Sequence, residues 1–172
     1  MSKVRRQNGF TLTELIIVMA IMATLLSIAA VSISNYQRRN AVKEAARAID
    51  GDIMAIRTTA RLRQTDDIVV DFATDYNYTA CIDTNAAPGC QPSDFTIVSR
   101  SFGNNLARFQ VFGLTTPNLL TFTRLGNIPE ETDIVVRLEP EPDRLYRVKI
   151  FRSGLTRVEF TETGLPPWGR AW

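Results

Sequence analysis

Few residues in this chain could do chemistry, and they are unevenly placed. The 172 residues include no histidine, which removes serine–histidine and cysteine–histidine nucleophile arrangements, imidazole proton shuttles and histidine-containing zinc sites. The two cysteines, Cys81 and Cys90, are too few for a four-thiolate zinc site or an iron–sulfur cluster. Their spacing is not Cys-x-x-Cys, so a structural bridge is favoured over a redox pair. Asp66 with Asp67, and Asp71 with Asp75, lie close in sequence but in no spacing that defines a catalytic pair or a calcium loop. Glu14 is different, being the single charge in residues 10–33. A carboxylate in so apolar a run is costly unless paired, which makes it a candidate for recognising a positive charge. The plainer alternative is an acid held by the positive end of a helix or reaching the headgroups. Cations collect late in the chain, at Arg147, Lys149 and Arg157, and at Arg170 between Trp168 and Trp172. Such groups can contact phosphates while the rings stack on bases; the alternative is a solvated strand face and a loose tail. These residues specify no catalytic site, no metal and no cofactor, and the reading is not an enzyme.

The elements that must carry these residues follow from pattern. Residues 1–9 are polar, with Lys3, Arg5 and Arg6 and no acid. Residues 10–33 would span about 36 Å as a helix, enough for a ~30 Å hydrocarbon core. No Ala-x-Ala-like cleavage site follows the run, so any cut falls ahead of it, after the basic leader. From Asn40 to about Gln64 the period stays helical but becomes one stripe. Val42, Ala45, Ala46, Ile49, Ile53, Ile56 and Ala60 recur at three- and four-residue steps among charged neighbours. Beyond Gln64 the period is two, and strands are predicted at 66–72, 76–82, 95–102, 107–112, 118–124, 133–139 and 144–152. The last forms a hairpin through Ser153-Gly154 with residues 155–160. The domains expected are a leader 1–9, a transmembrane or filament-core helix 10–35, its amphipathic continuation 36–64 and a β-rich head 65–172. The fold class is α+β, a long N-terminal helix packed on an antiparallel β-sheet head.

Gly9-Phe10-Thr11-Leu12-Thr13-Glu14, after a short basic leader and before an apolar helix, resembles the class III signal of type IV pilins and type II secretion pseudopilins. The resemblance implies cleavage by a prepilin peptidase between Gly9 and Phe10 and N-methylation of Phe10. It also implies the type IV pilin-like fold and insertion in the bacterial inner membrane as a single pass, with the head in the periplasm. In that family the glutamate, here Glu14, pairs with the amino terminus of a neighbouring subunit and sets register in the filament. The implied partners are the peptidase, a major pilin, other minor pilins or pseudopilins, and an inner-membrane assembly platform driven by an ATPase. A head exported to an oxidising space fits a Cys81–Cys90 disulfide, whose closure contributes about 2.7 kcal/mol in the chain-entropy model.

The end of the chain is similar to the GspH/FimT-type minor pilins, through a strand exit from Phe122 to Gly126 and a late hairpin with a Ser-Gly turn at Ser153-Gly154. The first reading is therefore a minor pilin, with an H-type pseudopilin of type II secretion as the alternative. A second alternative is DNA binding during uptake, because some such subunits use a Gly-Arg-x-Arg motif. Here Gly154-Leu155-Thr156-Arg157 and Gly169-Arg170-Ala171-Trp172 each keep one of its two arginines. Loss of the leader removes three of twenty basic residues and leaves them one short of the eighteen acids, so the mature chain is not a generally basic binder. Any contact would fall on Arg147, Lys149, Arg157 and Arg170.

Overall fold

The computed structural model describes residues 11–84, 89–102, 107–114, 116, 118–137, 145–161 and 169–170, with their side chains except those of 29–32, 34, 35, 38, 39 and 170. A helix, α1 (Leu12–Arg63), takes up both the apolar run and the striped segment. Thr11 sets its start. The Thr11 hydroxyl accepts the Glu14 N–H at 3.2 Å and its carbonyl accepts the Leu15 N–H at 3.2 Å, as an N-cap does. The helix ends where Gln64 turns to φ 51°, the left-handed conformation that closes many helices. Arg61 and Arg63 stand in the last turn, where cations offset the negative end of the helix dipole.

The chain forms two compact units that divide between Gln37 and Arg38. In the second, every residue of the helical stripe from Val42 to Ala60 is at most 3% exposed. The stripe shares one core with Ile68, Val70, Phe122, Ile134, Val148 and Ile150. Full burial of each such side chain contributes about 1.5–3 kcal/mol, which is why a three-four repeat on a polar helix needs a sheet to cover it. Gly51 lies on the opposite, exposed side, and a Cβ there would meet nothing within 4 Å. Gly51→Ala is accordingly expected to stabilise the chain by about 0.5–1 kcal/mol, seen as a small rise in the thermal midpoint.

The head strands are β1 (Ile68–Asp71), β2 (Asn77–Ile82), β3 (Phe95–Ser101), β4 (Arg108–Phe112), β5 (Leu119–Phe122), β6 (Thr132–Arg137), β7 (Leu145–Ile150), β8 (Thr156–Thr161) and β9 (Gly169–Arg170). All pairings are antiparallel, but in two sheets rather than one, with orders β3-β2-β1-β5 and β4-β6-β7-β8-β9. The division arises because β5, between β4 and β6 in sequence, returns to pair with β1, while β4 pairs with β6. Period-two patterning marks a strand and its buried face but says nothing about which strand lies beside it. Phe72, Tyr78, Phe102 and Phe109 knit the sheets together, with neighbouring rings 5.7–6.2 Å apart. The late hairpin forms as its sequence suggests, with Val148 opposite Val158 in the core. Residues 169–170, read from sequence as part of a loose tail, instead add β9 to the edge of β8.

Candidate functional site

The first candidate site is the apolar half of α1. Leu15, Ile16, Ile17 and Val18 are consecutive, so they point around the full circumference of the helix, and each is 47–57% exposed. A helix that is hydrophobic all round requires apolar surroundings on every side. Two of its hydroxyls are turned back onto the helix. Thr24 donates to the Ile21 carbonyl and Ser27 to the Thr24 carbonyl, each at 2.7 Å. Glu14 is the lone charge in this surface; it is exposed in the first turn, at the third helical position after the Thr11 cap. Thr11-x-x-Glu14 is a capping-box spacing, a local signal that the sequence reading passed over. Gly9 and Phe10 lie outside the described residues. The described side chains of the run, 12–28, cover about 26 Å, and among the described residues no helix is long and apolar enough to cross a membrane.

The second candidate is the outward face of β6, β7 and β8. Its strand register does bring Arg147, Lys149 and Arg157 onto one face, and it brings acids with them. Arg147 binds Glu159 through Nε at 3.0 Å and also through Nη2, with Asp133 at 3.6 Å. Lys149 meets Glu131 at 3.1 Å, and Arg157 lies 3.9 Å from Glu159. Lys149 and Arg157 also flank the Phe151 ring, at 5.4 and 5.3 Å from its centre. Arg170 pairs with Glu159 through the backbone of β9; its side chain, Trp168 and Trp172 lie outside the described residues. Each of these three cations thus faces a carboxylate, which weakens its attraction for a polyanion.

Cys81 and Cys90 form a disulfide with Cα atoms 5.7 Å apart. Cys81 and its cross-strand neighbour Val69 are buried outside the main core. The Asp71 carboxylate accepts the Cys90 N–H at 3.3 Å. Gly89, at φ +82°, passes so close to that carboxylate that a Cβ would sit 2.5 Å from it. Asp94 closes the loop by accepting the Gln91 N–H at 2.8 Å and the Thr84 hydroxyl at 2.8 Å. These bonds, the Gln91 N–H foremost, hold its carboxyl below the usual range. The four early aspartates are not brought together as a site. Asp66 accepts the Arg124 N–H, Asp67 the Thr65 hydroxyl, Asp71 the Cys90 N–H, and Asp75 faces Arg108 at 2.7 Å.

The prokaryotic N-terminal methylation motif matches residues 4–30. Two crystal forms of the type IV minor pilin FimU of Pseudomonas aeruginosa share the fold. One superposes with a TM-score of 0.57 at 15% identity over 77% of this chain and 96% of that one. The other gives 0.53 at 14% identity over 73% and 96%. The chain has a type IV pilin-like fold. No curated protein sequence matches it.

The pilin-like head also contains two side-chain assemblies that sequence reasoning missed. At one, Gly126 and Gly154, at φ +73° and +72°, stack against each other and against Arg57 of α1. Arg57 Nε donates to the Ser153 carbonyl at 3.1 Å. At the other, Asp52 of α1 takes a two-pronged pair from Arg100 of β3 at 2.6 and 2.8 Å and the Tyr78 hydroxyl at 2.6 Å. Burial first, then this bond to a carboxylate, raises the Tyr78 pKa well above its ordinary value. The folded chain therefore holds this proton more tightly than the unfolded chain does. That stabilisation is complete below about pH 10 and is lost as pH rises beyond it. Tyr78→Phe should cost about 1–3 kcal/mol at neutral pH, since the bond is to a charged group. The gap to wild type should narrow above pH 10, measured as unfolding free energy against pH.

Proposed function

We propose that this pilin-like chain is a minor pilin, a structural subunit of a type IV pilus or related filament. Prepilin peptidase cuts between Gly9 and Phe10 and methylates Phe10. Residues 10–33 then anchor the chain in the bacterial inner membrane with the head in the periplasm. The same helix later passes into the filament, where Glu14 pairs with the amino terminus of a neighbouring subunit. The assembly platform, the major pilin and other minor pilins are the partners of that transfer. The observation that carries this reading is the all-round exposure of the apolar half of α1 behind a methylation motif. Such a surface is stable only in lipid or among similar helices. The alternative is an H-type pseudopilin of type II secretion, for which the packing chemistry is the same. DNA capture by Arg147, Lys149, Arg157 and Arg170 has less support, because each of the three described cations faces a carboxylate. N-terminal mass spectrometry of the membrane-extracted chain is the test. It should start at methylated Phe10 when the peptidase is present and at the leader when it is absent. A mature chain that retains residues 1–9 would refute the proposal.

A further inference from the structure

We infer that the end of the head formed by the last turns of α1 and the two glycine turns is a docking surface for a carboxylate-bearing face of a neighbouring filament subunit. The inference rests on the pilin reading and concerns a surface which that reading does not assign. Arg57 and Arg61 lie one helical turn apart, and both stems pack on Gly126, their Cγ atoms 2.8 and 3.0 Å from where its Cβ would be. Arg124, next to Leu125, lines a shared cleft with Arg61 and Gln64. The other turn is tied to this one through its backbone, the Arg152 carbonyl accepting the Ile128 N–H at 3.0 Å. The side chains of Arg57, Arg61 and Arg124 thus gather at one end of the head. Among the described residues Asp66 pairs into them, 3.9 Å from Arg124 and itself largely exposed.

The mixed chemistry of this surface points to a protein partner. Leu125 and Leu155, 67% and 46% exposed, stand beside the glycines among these arginines. Arginine mixed with exposed apolar side chains suits the core of a protein interface. The helix dipole accounts for Arg61 but not for Arg124, which comes from a turn held in place by the left-handed Gly126. Gathering like charges costs stability in the isolated head, a cost that a complementary acidic partner removes.

The test places the photo-crosslinker p-benzoylphenylalanine at Leu125 or Leu155 in the full chain, in cells that assemble the filament. Light should give an adduct with another filament subunit, mapped by peptide mass spectrometry beside aspartate or glutamate. Arg61→Glu with Arg124→Glu should reduce that adduct roughly tenfold or more, whereas lysine at both positions should largely retain it. A chain that is cleaved and present in filaments but gives no adduct overturns the docking surface alone. An adduct indifferent to charge reversal, or one formed with nucleic acid or lipid, overturns it too. A chain uncleaved and absent from filaments overturns the pilin reading and this inference together.

Discussion

Gly154→Ala should destabilise the head by several kcal/mol, lowering its thermal midpoint by roughly 10 °C or more. The residue sits at φ +72°, and a Cβ there would lie 1.9 Å from the Gly126 carbonyl oxygen. A left-handed conformation alone costs an alanine about 1–2 kcal/mol. The clash adds to this because the obstacle is backbone, and that backbone has nowhere to retreat. Gly126 is itself left-handed and backed by Arg57, whose carbonyl oxygen is 3.1 Å from where its own Cβ would be. Any displacement strains the Arg57–Ser153 bond at 3.1 Å and the turn bond from the Gly154 N–H to the Phe151 carbonyl at 2.7 Å. Native stability is only about 5–15 kcal/mol in total, so the loss is a large share of it. Gly51→Ala is the internal control, the same substitution with the opposite sign. Circular dichroism melts of the two detergent-solubilised variants would decide. A Gly154→Ala midpoint within a few degrees of wild type contradicts the packing described.

What could be read from the sequence was what depends on near neighbours. The stripe from Val42 to Ala60 was legible residue by residue, because a helix repeats its buried side every three or four positions. So was the alternation in β6 and β7, where Ile134, Val136, Tyr146, Val148 and Ile150 face the core. The return of β5 to β1 was not legible, since strand pairing is chosen by tertiary packing. The Phe122-to-Gly126 strand exit and the Ser153-Gly154 turn were visible as two separate signals. That they are one joint, clasped by Arg57, emerges only when residues far apart in sequence are brought together. The same holds for Asp52, Tyr78 and Arg100, which are ordinary residues until folding makes them neighbours. The basic face was legible only in part. Alternation aligned Arg147, Lys149 and Arg157 with Glu159 nearby, whereas the approach of Asp133 and Glu131 to Arg147 and Lys149 depends on how β6 pairs with β7.

Glu14 is where a local role and an intermolecular one must be separated, and two substitutions together do so. Removing the carboxylate by Glu14→Ala should leave cleavage after Gly9 largely intact and abolish incorporation into filaments. That result alone is ambiguous, because Glu14 is at the third position of a helix capped by Thr11, where an acid also steadies the first turn. Glutamine resolves it, since it serves in a capping box but carries no charge. If Glu14 acts by pairing with a methylated, positively charged terminus, Glu14→Gln must fail in assembly as completely as Glu14→Ala. If it acts only on the helix start, the glutamine variant should assemble normally. Thr11→Ala should then be the damaging change, at about 1 kcal/mol of helix stability. The charge-pair outcome is the one expected. A loose first turn costs about that much whatever lies nearby, whereas an unmatched charge among packed apolar helices costs several kcal/mol for each partner left alone. The measurement is the ratio of this chain in sheared filaments to that in membranes, for each variant, with cleavage followed by N-terminal mass.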